Sequence, residues 1–299
     1  MVALEVSRLR KRYGSIRALE EVSFAVERGE VFGYLGPNGA GKTTTLRILV
    51  GLVRADGGEA RLLGHAPGDP AGRAAVGYLP GDLALYGSMT VHALLDRFER
   101  FRPSRPPVLR PRLLEALQLE DRDLSRRTKF LSHGTRQKLG LVIAMQHDPE
   151  VLLLDEPTSG LDPLVQKAFR DLVLERAAEG RAILFSSHVL SEVEAVCARV
   201  AVLGAGRVLA LETIESLRAR MVRRMRVRFR DGPPADLATT PGVVACEREG
   251  DAVTLQVLGD VNPVLRVLAS ADVDRMVFPE PELEDAFLEY FEPRGTGDA

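Results

Sequence analysis

The chain has 299 residues, 45% of them hydrophobic and 27% charged, and its 40 basic and 42 acidic residues leave a formal net charge of −2. That composition excludes a disordered chain and a surface tuned throughout to nucleic acid, and the length allows about two domains. No apolar run approaches the roughly 20 residues needed to cross a bilayer.

The first residues, MVALEVSRLRKRYG, lack the apolar core of a secretory signal. Residues 2–9, 22–27 and 30–35 read as strands, rich in β-branched residues and bounded by glycine or charge. A glycine-rich stretch then opens a helix over about 41–52. The middle of the chain is helical: 90–102, capped by Thr90 and stopped before Pro103, then 111–119 and 134–147. The strongest buried-strand signal is 151–154, four apolar residues ending on Asp155, and 181–187 is a second. Short apolar strands alternating with helices predict a parallel sheet covered on both faces. Residues 199–203 and 207–211, joined by Gly204, Ala205 and Gly206, read as a closing hairpin.

The pattern changes near Ser216. Strands are expected at 225–229, 243–247, 252–257 and 273–278, with a short helix at 235–239 and further helices at 263–269 and 282–291. This β-α-β-β-α-β order resembles a ferredoxin-like module. The expected domains are therefore 1–216 and 217–299, the second a small α+β unit. From Arg224 to Arg230 the arginines alternate with Met225, Val227 and Phe229. The period of two predicts a strand with one solvated and one buried face, rather than a nucleic-acid or lipid contact. Cys197 and Cys246 have no metal-ligand spacing and read as free thiols in a reducing compartment.

Two constellations carry chemistry. Gly36-Pro37-Asn38-Gly39-Ala40-Gly41-Lys42-Thr43 fits G-x-x-x-x-G-K-[ST] and lies between a strand and a helix. Its glycines let backbone N–H groups converge on phosphate oxygens, Lys42 reaches the outer phosphates, and the Thr43 hydroxyl suits Mg²⁺. Asp155 and Glu156 end a buried strand, on the sheet edge where open α/β folds bind ligands. Asp155 suits a Mg²⁺ contact through water, and Glu156 is placed to orient, or take a proton from, an attacking water.

These residues resemble the nucleotide-binding subunits of ATP-binding cassette (ABC) transporters. GPNGAGKTT, with Thr44 after Thr43, and LLLDEPTSGLD look like that family's Walker A, Walker B and D-loop. Leu131-Ser132-His133-Gly134-Thr135 stands in the place of its LSGGQ signature, Ser186-Ser187-His188 looks like the switch-histidine region, and Tyr13 looks like the aromatic that stacks on adenine. The resemblance covers about residues 1–215 and looks most like exporter subunits made apart from their permease. Glu284-Asp285-Ala286-Phe287-Leu288 resembles the closing helix of such chains. It implies a P-loop NTPase fold with a helical signature subdomain and an antiparallel edge sheet.

The resemblance also implies a mechanism. Two such domains close head to tail over two molecules of ATP, in a dimer expected to be of identical chains. Ser132 and Gly134 contact the γ-phosphate held by the other subunit, Asp162 helps join the two sites, and His188 and Glu156 are catalytic. The implied cofactors are ATP and Mg²⁺. The implied partners are a membrane permease and a second ATP-binding subunit, with no nucleic acid, and the implied location is the cytoplasmic face of the cell membrane. A soluble ABC-type ATPase acting on nucleic acid or ribosomes is the alternative. Only about 90 residues separate Lys42 from Ser132, too few for the long coiled coil of DNA-repair members, and one motif set is present where ribosome-acting members carry two. Two positions depart from the family pattern. Gly81 stands where a water- and metal-sensing Gln is expected, with Asp82 beside it, and His133 stands for the first glycine of the signature. His133 adds a titratable group to the expected interface. Leu83, Leu85, Tyr86 and Met89 fall where the family meets its permease, and either form an apolar docking surface or pack the domain's own helical part.

Overall fold

A computed structural model describes residues 1–101, 106–219 and 222–279. The expected helix at 282–291, and the stop at Pro103, lie outside the described residues. The chain divides into two compact units, one covering Met1–Glu212 and the other beginning at Thr213.

In the first unit the elements run β1 (Val2–Tyr13), β2 (Ile16–Glu27), β3 (Val31–Leu35), α1 (Lys42–Leu49), β4 (Gly57–Leu62), α2 (Pro70–Ala74) and β5 (Val76–Leu79). The helical middle holds α3 (Val91–Arg100), α4 (Arg110–Ala116), α5 (Asp121–Leu124) and α6 (His133–Met145). Then follow β6 (Val151–Asp155), α7 (Pro163–Ala178), β7 (Ala182–Ser187), α8 (Leu190–Glu194), β8 (Arg199–Gly204) and β9 (Arg207–Thr213). One sheet has the order β5-β6-β7-β3-β8-β9, and the pairs from β5 through β8 are parallel. Its central strands β3, β6 and β7 are buried along their whole length, as a sheet covered on both faces requires. The second sheet, β2-β1-β4, is antiparallel. It packs on the first through Phe24, whose ring lies 5.5 Å from Phe32 and 5.0 Å from Tyr34.

Several elements are longer than the sequence predicts, and some are additional. β1 and β2 extend to meet at Tyr13 and Ile16, because cross-strand pairing carries polar residues that period alone does not claim. Helix α7 is an addition, although Asp162 caps it, Pro163 starts it, and Val165, Phe169, Leu172, Val173, Arg176 and Ala177 form its buried stripe. The turn between β8 and β9 has Ala205 and Gly206 both at positive φ, the geometry of a tight hairpin.

The second unit holds α9 (Ile214–Ala219), β10 (Arg223–Phe229), β11 (Val243–Glu249), β12 (Ala252–Val257), α10 (Asn262–Leu268) and β13 (Val273–Val277). Its sheet has the order β11-β12-β10-β13 with antiparallel neighbours throughout. The short helix expected at 235–239 is only a 3₁₀ turn, Leu237–Thr239, in a stretch that follows Pro233 and Pro234. Met225, Val227 and Phe229 are buried against Leu255, Val257, Val264 and Leu268, while Arg224, Arg226 and Arg228 face solvent. The arginine run is therefore one face of a strand.

Candidate functional site

The phosphate loop joins β3 to α1. Gly41 precedes α1 at φ 109°, and a Cβ there would stand 2.6 Å from the Ala18 carbonyl. Only glycine allows that conformation and that approach. The Lys42 side chain is buried and its ammonium donates to the carbonyls of Gly36 (2.6 Å) and Pro37 (3.3 Å), curling the loop around it. Tyr34 on β3 hydrogen-bonds Thr45 at 2.9 Å, and Thr45 donates to the Gly41 carbonyl at 3.1 Å, which fixes the first turn of α1 beneath the loop. Burial pushes the Tyr34 phenol up, so it stays neutral.

The carboxylates arrive from β6. Asp155 is almost wholly buried, and both of its oxygens are held: Thr43 donates to Oδ2 at 2.7 Å and Ser186 donates to Oδ1 at 2.8 Å. Glu156 has φ 50°, a conformation that costs a side-chain-bearing residue free energy and turns its carboxylate out of the strand. One oxygen, Oε2, lies 2.8 Å from His188 Nδ1. The other, Oε1, is buried without a hydrogen-bond partner and lies 3.5 Å from the Lys42 ammonium. A cavity of about 410 Å³ runs over these groups, lined among others by Asn38, Gly39, Lys42, Thr43, Thr44, Asp155 and Glu156. Gly81 also lines it, and a Cβ there would stand 3.1 Å from Asp155 Oδ2. A larger groove of about 610 Å³, lined by Arg10, Arg12, Arg17, Glu20 and Arg207, holds none of the motif residues. The motif residues line the smaller one.

The remaining predicted residues are not in this cavity. Ser132 caps α6, its Oγ accepting from Thr135 N–H at 3.2 Å, and Gly134 lies in the first turn of that helix. Asp162 caps α7, accepting from Val165 N–H at 3.0 Å. That N–H holds the Asp162 carboxyl below the ordinary carboxylate range, with the Lys138 ammonium at 3.8 Å adding to it. Tyr13 ends β1 and is 45% exposed, with the Lys11 ammonium 5.4 Å from its ring. Of the four residues expected to meet a permease, only Tyr86 is exposed. Leu83, Leu85 and Met89 are half-buried, and Leu83 packs against Gly140 of α6.

Three positioning residues are additions to the sequence reading. Ser186 holds Asp155. Gln137, buried in α6, donates to the carbonyls of Glu156 (3.0 Å) and Pro157 (3.1 Å). Glu192 of α8 accepts from Thr158 at 2.5 Å and from Ser187 at 2.7 Å, tying together the segments that follow Glu156 and precede His188. Each partner pair is 5 to 34 residues apart in sequence, and no local signal links them.

A phosphate loop, a buried aspartate and a strained glutamate at the carboxyl edge of a parallel sheet, with a helical insertion between them, define a P-loop ATPase. The family model for ABC transporters matches residues 19–159. An uncharacterized ABC transporter ATP-binding protein of Synechocystis sp. is 34% identical over 286 residues, covering 94% of this chain and 80% of that one. Nod factor export ATP-binding protein I of Paraburkholderia xenovorans is 35% identical over 294 residues, 96% of each chain. A solved structure of an ATP-binding subunit of an ABC transporter is 33% identical, with a TM-score of 0.66, over 72% of this chain and 92% of that one. The chain belongs to the ATP-binding proteins of ABC transporters, and it is an ABC ATPase.

Proposed function

We propose that this chain hydrolyses ATP to power export through a separate membrane permease, working as a head-to-tail dimer of identical subunits with two composite sites. The observation that carries the reading is Glu156: a carboxylate held by His188 on one oxygen, with the other turned toward Lys42 and free of hydrogen bonds. Export is supported by the relative named for Nod factor export, which matches almost end to end. A separate permease is supported by the same relative, named as an ATP-binding protein for export and matching over 96% of each chain. The composite site is supported by where the motif residues lie. Ser132, Gly134 and Asp162 line other surfaces than the cavity that Lys42 and Glu156 share. The chain would then sit at the cytoplasmic face of the membrane, held by its permease.

In this mechanism Gly39, Gly41 and the N-terminus of α1 receive the phosphates, and Lys42 exchanges its loop carbonyls for phosphate oxygens. Thr43 and Asp155 offer two hard oxygens 2.7 Å apart. That fits Mg²⁺, which takes few protein ligands and keeps its remaining positions for water and phosphate. Bound there, Mg²⁺ supplies charge neutralisation on the phosphates. Glu156 orients the attacking water and draws its proton, and His188 fixes that carboxylate while its Nε2 faces away from the contact. Ser132 and Gly134 of the other subunit complete the γ-phosphate site, so nucleotide binds the two subunits together and hydrolysis releases them. Tyr13 stacks on the adenine.

The test is affinity purification of the chain from gently solubilised native membranes, with mass spectrometry of what accompanies it. A polytopic membrane protein at about one-to-one stoichiometry is expected. Ribosomal proteins or nucleic acid in its place would move the function to a soluble ATPase.

A further inference from the structure

His133 is the position at which the signature-like turn departs from a glycine pattern, and its ring is not free in solvent. Nε2 lies 3.3 Å from the Ser159 hydroxyl, within hydrogen-bond reach. The ring also abuts the next residue: a Cβ on Gly160 would stand 2.3 Å from His133 Cδ2 and 3.0 Å from Nε2. Gly160 is at φ 71°, so two independent constraints, conformation and space, demand glycine there. The approach is reciprocal, because a Cβ on Gly134 would stand 2.5 Å from the Gly160 carbonyl. One turn further along α6, the Lys138 ammonium lies 3.8 Å from Asp162 Oδ2. The start of α6 therefore lies close against the loop 159–162, with the exposed His133 ring resting beside Ser159 and Gly160.

We infer that His133 is a positioning residue that locks the loop 159–162 onto the start of α6, so that the two move as one body. The inference rests on the composite-site reading. Under that reading Ser132 and Gly134 meet the γ-phosphate of one site, while Asp162 helps join that site to its twin. A glycine at 133 removes the ring's contact with Ser159 and leaves the backbone approach at Gly134, the Lys138–Asp162 pair and, just before the loop, the Gln137 bonds to the Glu156 and Pro157 carbonyls. The imidazole adds a side-chain contact that makes closure at one site felt at the loop serving both. This chain would thus couple its two ATP sites through a residue that the signature pattern does not supply. The contact needs no particular charge on the ring, since Ser159 can accept from an N–H or donate to a bare nitrogen.

The test compares His133→Ala, His133→Gly, His133→Gln, Ser159→Ala and the double variant in the full chain. The readouts are steady-state ATP hydrolysis with its Hill coefficient, and ATP-dependent dimerisation in a Glu156→Gln background. A lost hydrogen bond of ordinary strength corresponds to a fall of about three- to tenfold in kcat. We expect His133→Ala and His133→Gly to show it, with KM for ATP within about twofold of wild type and a Hill coefficient moved toward one. Gln places its amide near the Nε2 position and should restore most of both. Ser159→Ala should copy His133→Ala, and the double variant should be no worse than either single. Two outcomes overturn the inference while leaving the composite-site reading intact: wild-type rate and Hill coefficient in His133→Gly, or additive losses in the double variant, with the Glu156→Gln protein still dimerising on ATP. If the Glu156→Gln protein with an intact His133 forms no ATP-dependent dimer, the composite-site reading itself fails and takes the inference with it.

Discussion

His188 Nδ1 lies 2.8 Å from Glu156 Oε2, across a gap of 32 residues in sequence. An ionised carboxylate can only accept, so Nδ1 is the nitrogen that carries the proton toward it, and Oε1 is left as the carboxylate oxygen without a hydrogen-bond partner. His188→Ala should lower kcat by about a hundredfold or more, the lower end of what a positioned acid–base pair contributes. ATP affinity, measured with a fluorescent analogue, should change little. A variant with nearly normal kcat would show that the ring is not needed to hold Glu156.

Gly81 is not a vacancy to be repaired. An added Cβ would stand 3.1 Å from Asp155 Oδ2 and 3.3 Å from its Cγ, so Asp155 would have to give by a few tenths of an ångström against the Ser186 bond that aims it. Restoring the glutamine of the family pattern should therefore reduce ATPase activity, with Gly81→Ala falling between it and wild type. Steady-state hydrolysis across the three proteins checks the order. A gain of activity in Gly81→Gln would show that the backbone there relaxes.

The motifs were legible because each is chain-local. The phosphate loop, the Asp155–Glu156 pair and the signature-like run at Ser132 all declare themselves within ten residues of sequence. Strand β6 was legible from four consecutive apolar residues, and β10 from its alternation with arginine. Helix α7 carries readable signals in Asp162, Pro163 and its apolar spacing, directly after the Asp155–Glu156 motif. What sequence does not display is convergence. Ser186 on Asp155, Gln137 on the Glu156 carbonyl and Glu192 on Thr158 depend on which strand neighbours which, and the order β5-β6-β7-β3-β8 is a property of the sheet. The short helix expected near Ala235 failed for a local reason: the stretch follows two prolines and closes as a single 3₁₀ turn.

Among the described residues Ser186 and Thr43 donate to Asp155, and in the proposed mechanism Thr43 turns to Mg²⁺ while Ser186 stays. Ser186 and Asp155 are both buried, so Ser186→Ala leaves one carboxylate oxygen without its partner, at a cost of about 1–3 kcal/mol. Thermal unfolding should reveal the loss. Hydrolysis should also need more Mg²⁺ for half-saturation, because Asp155 is no longer aimed. Unchanged melting would mean that water replaces the hydroxyl.

Asp162 gives the fold a pH dependence of known sign. The Val165 N–H, assisted by Lys138, holds its carboxyl below the ordinary value of 3.8 in the folded chain. Its contribution is therefore fully present above that value and is lost as pH falls through the lower, folded one. Asn caps a helix as well as Asp but carries no charge. Asp162→Asn should melt at a lower temperature than wild type near neutral pH, and the two curves should converge only as pH falls through the lower, folded value. A gap that persisted into acid would assign the difference to the cap hydrogen bond in place of the charge.

The central claim is that Glu156 drives hydrolysis in a site closed by a second copy of the chain. Its most direct test is phosphate release by Glu156→Gln with Mg²⁺ and ATP, read beside the protein's elution volume on a sizing column. The account predicts tight ATP binding, a stable ATP-dependent dimer, and phosphate release slower than wild type by at least about a hundredfold. Release within a few-fold of wild type, from a protein that stays monomeric, would contradict it.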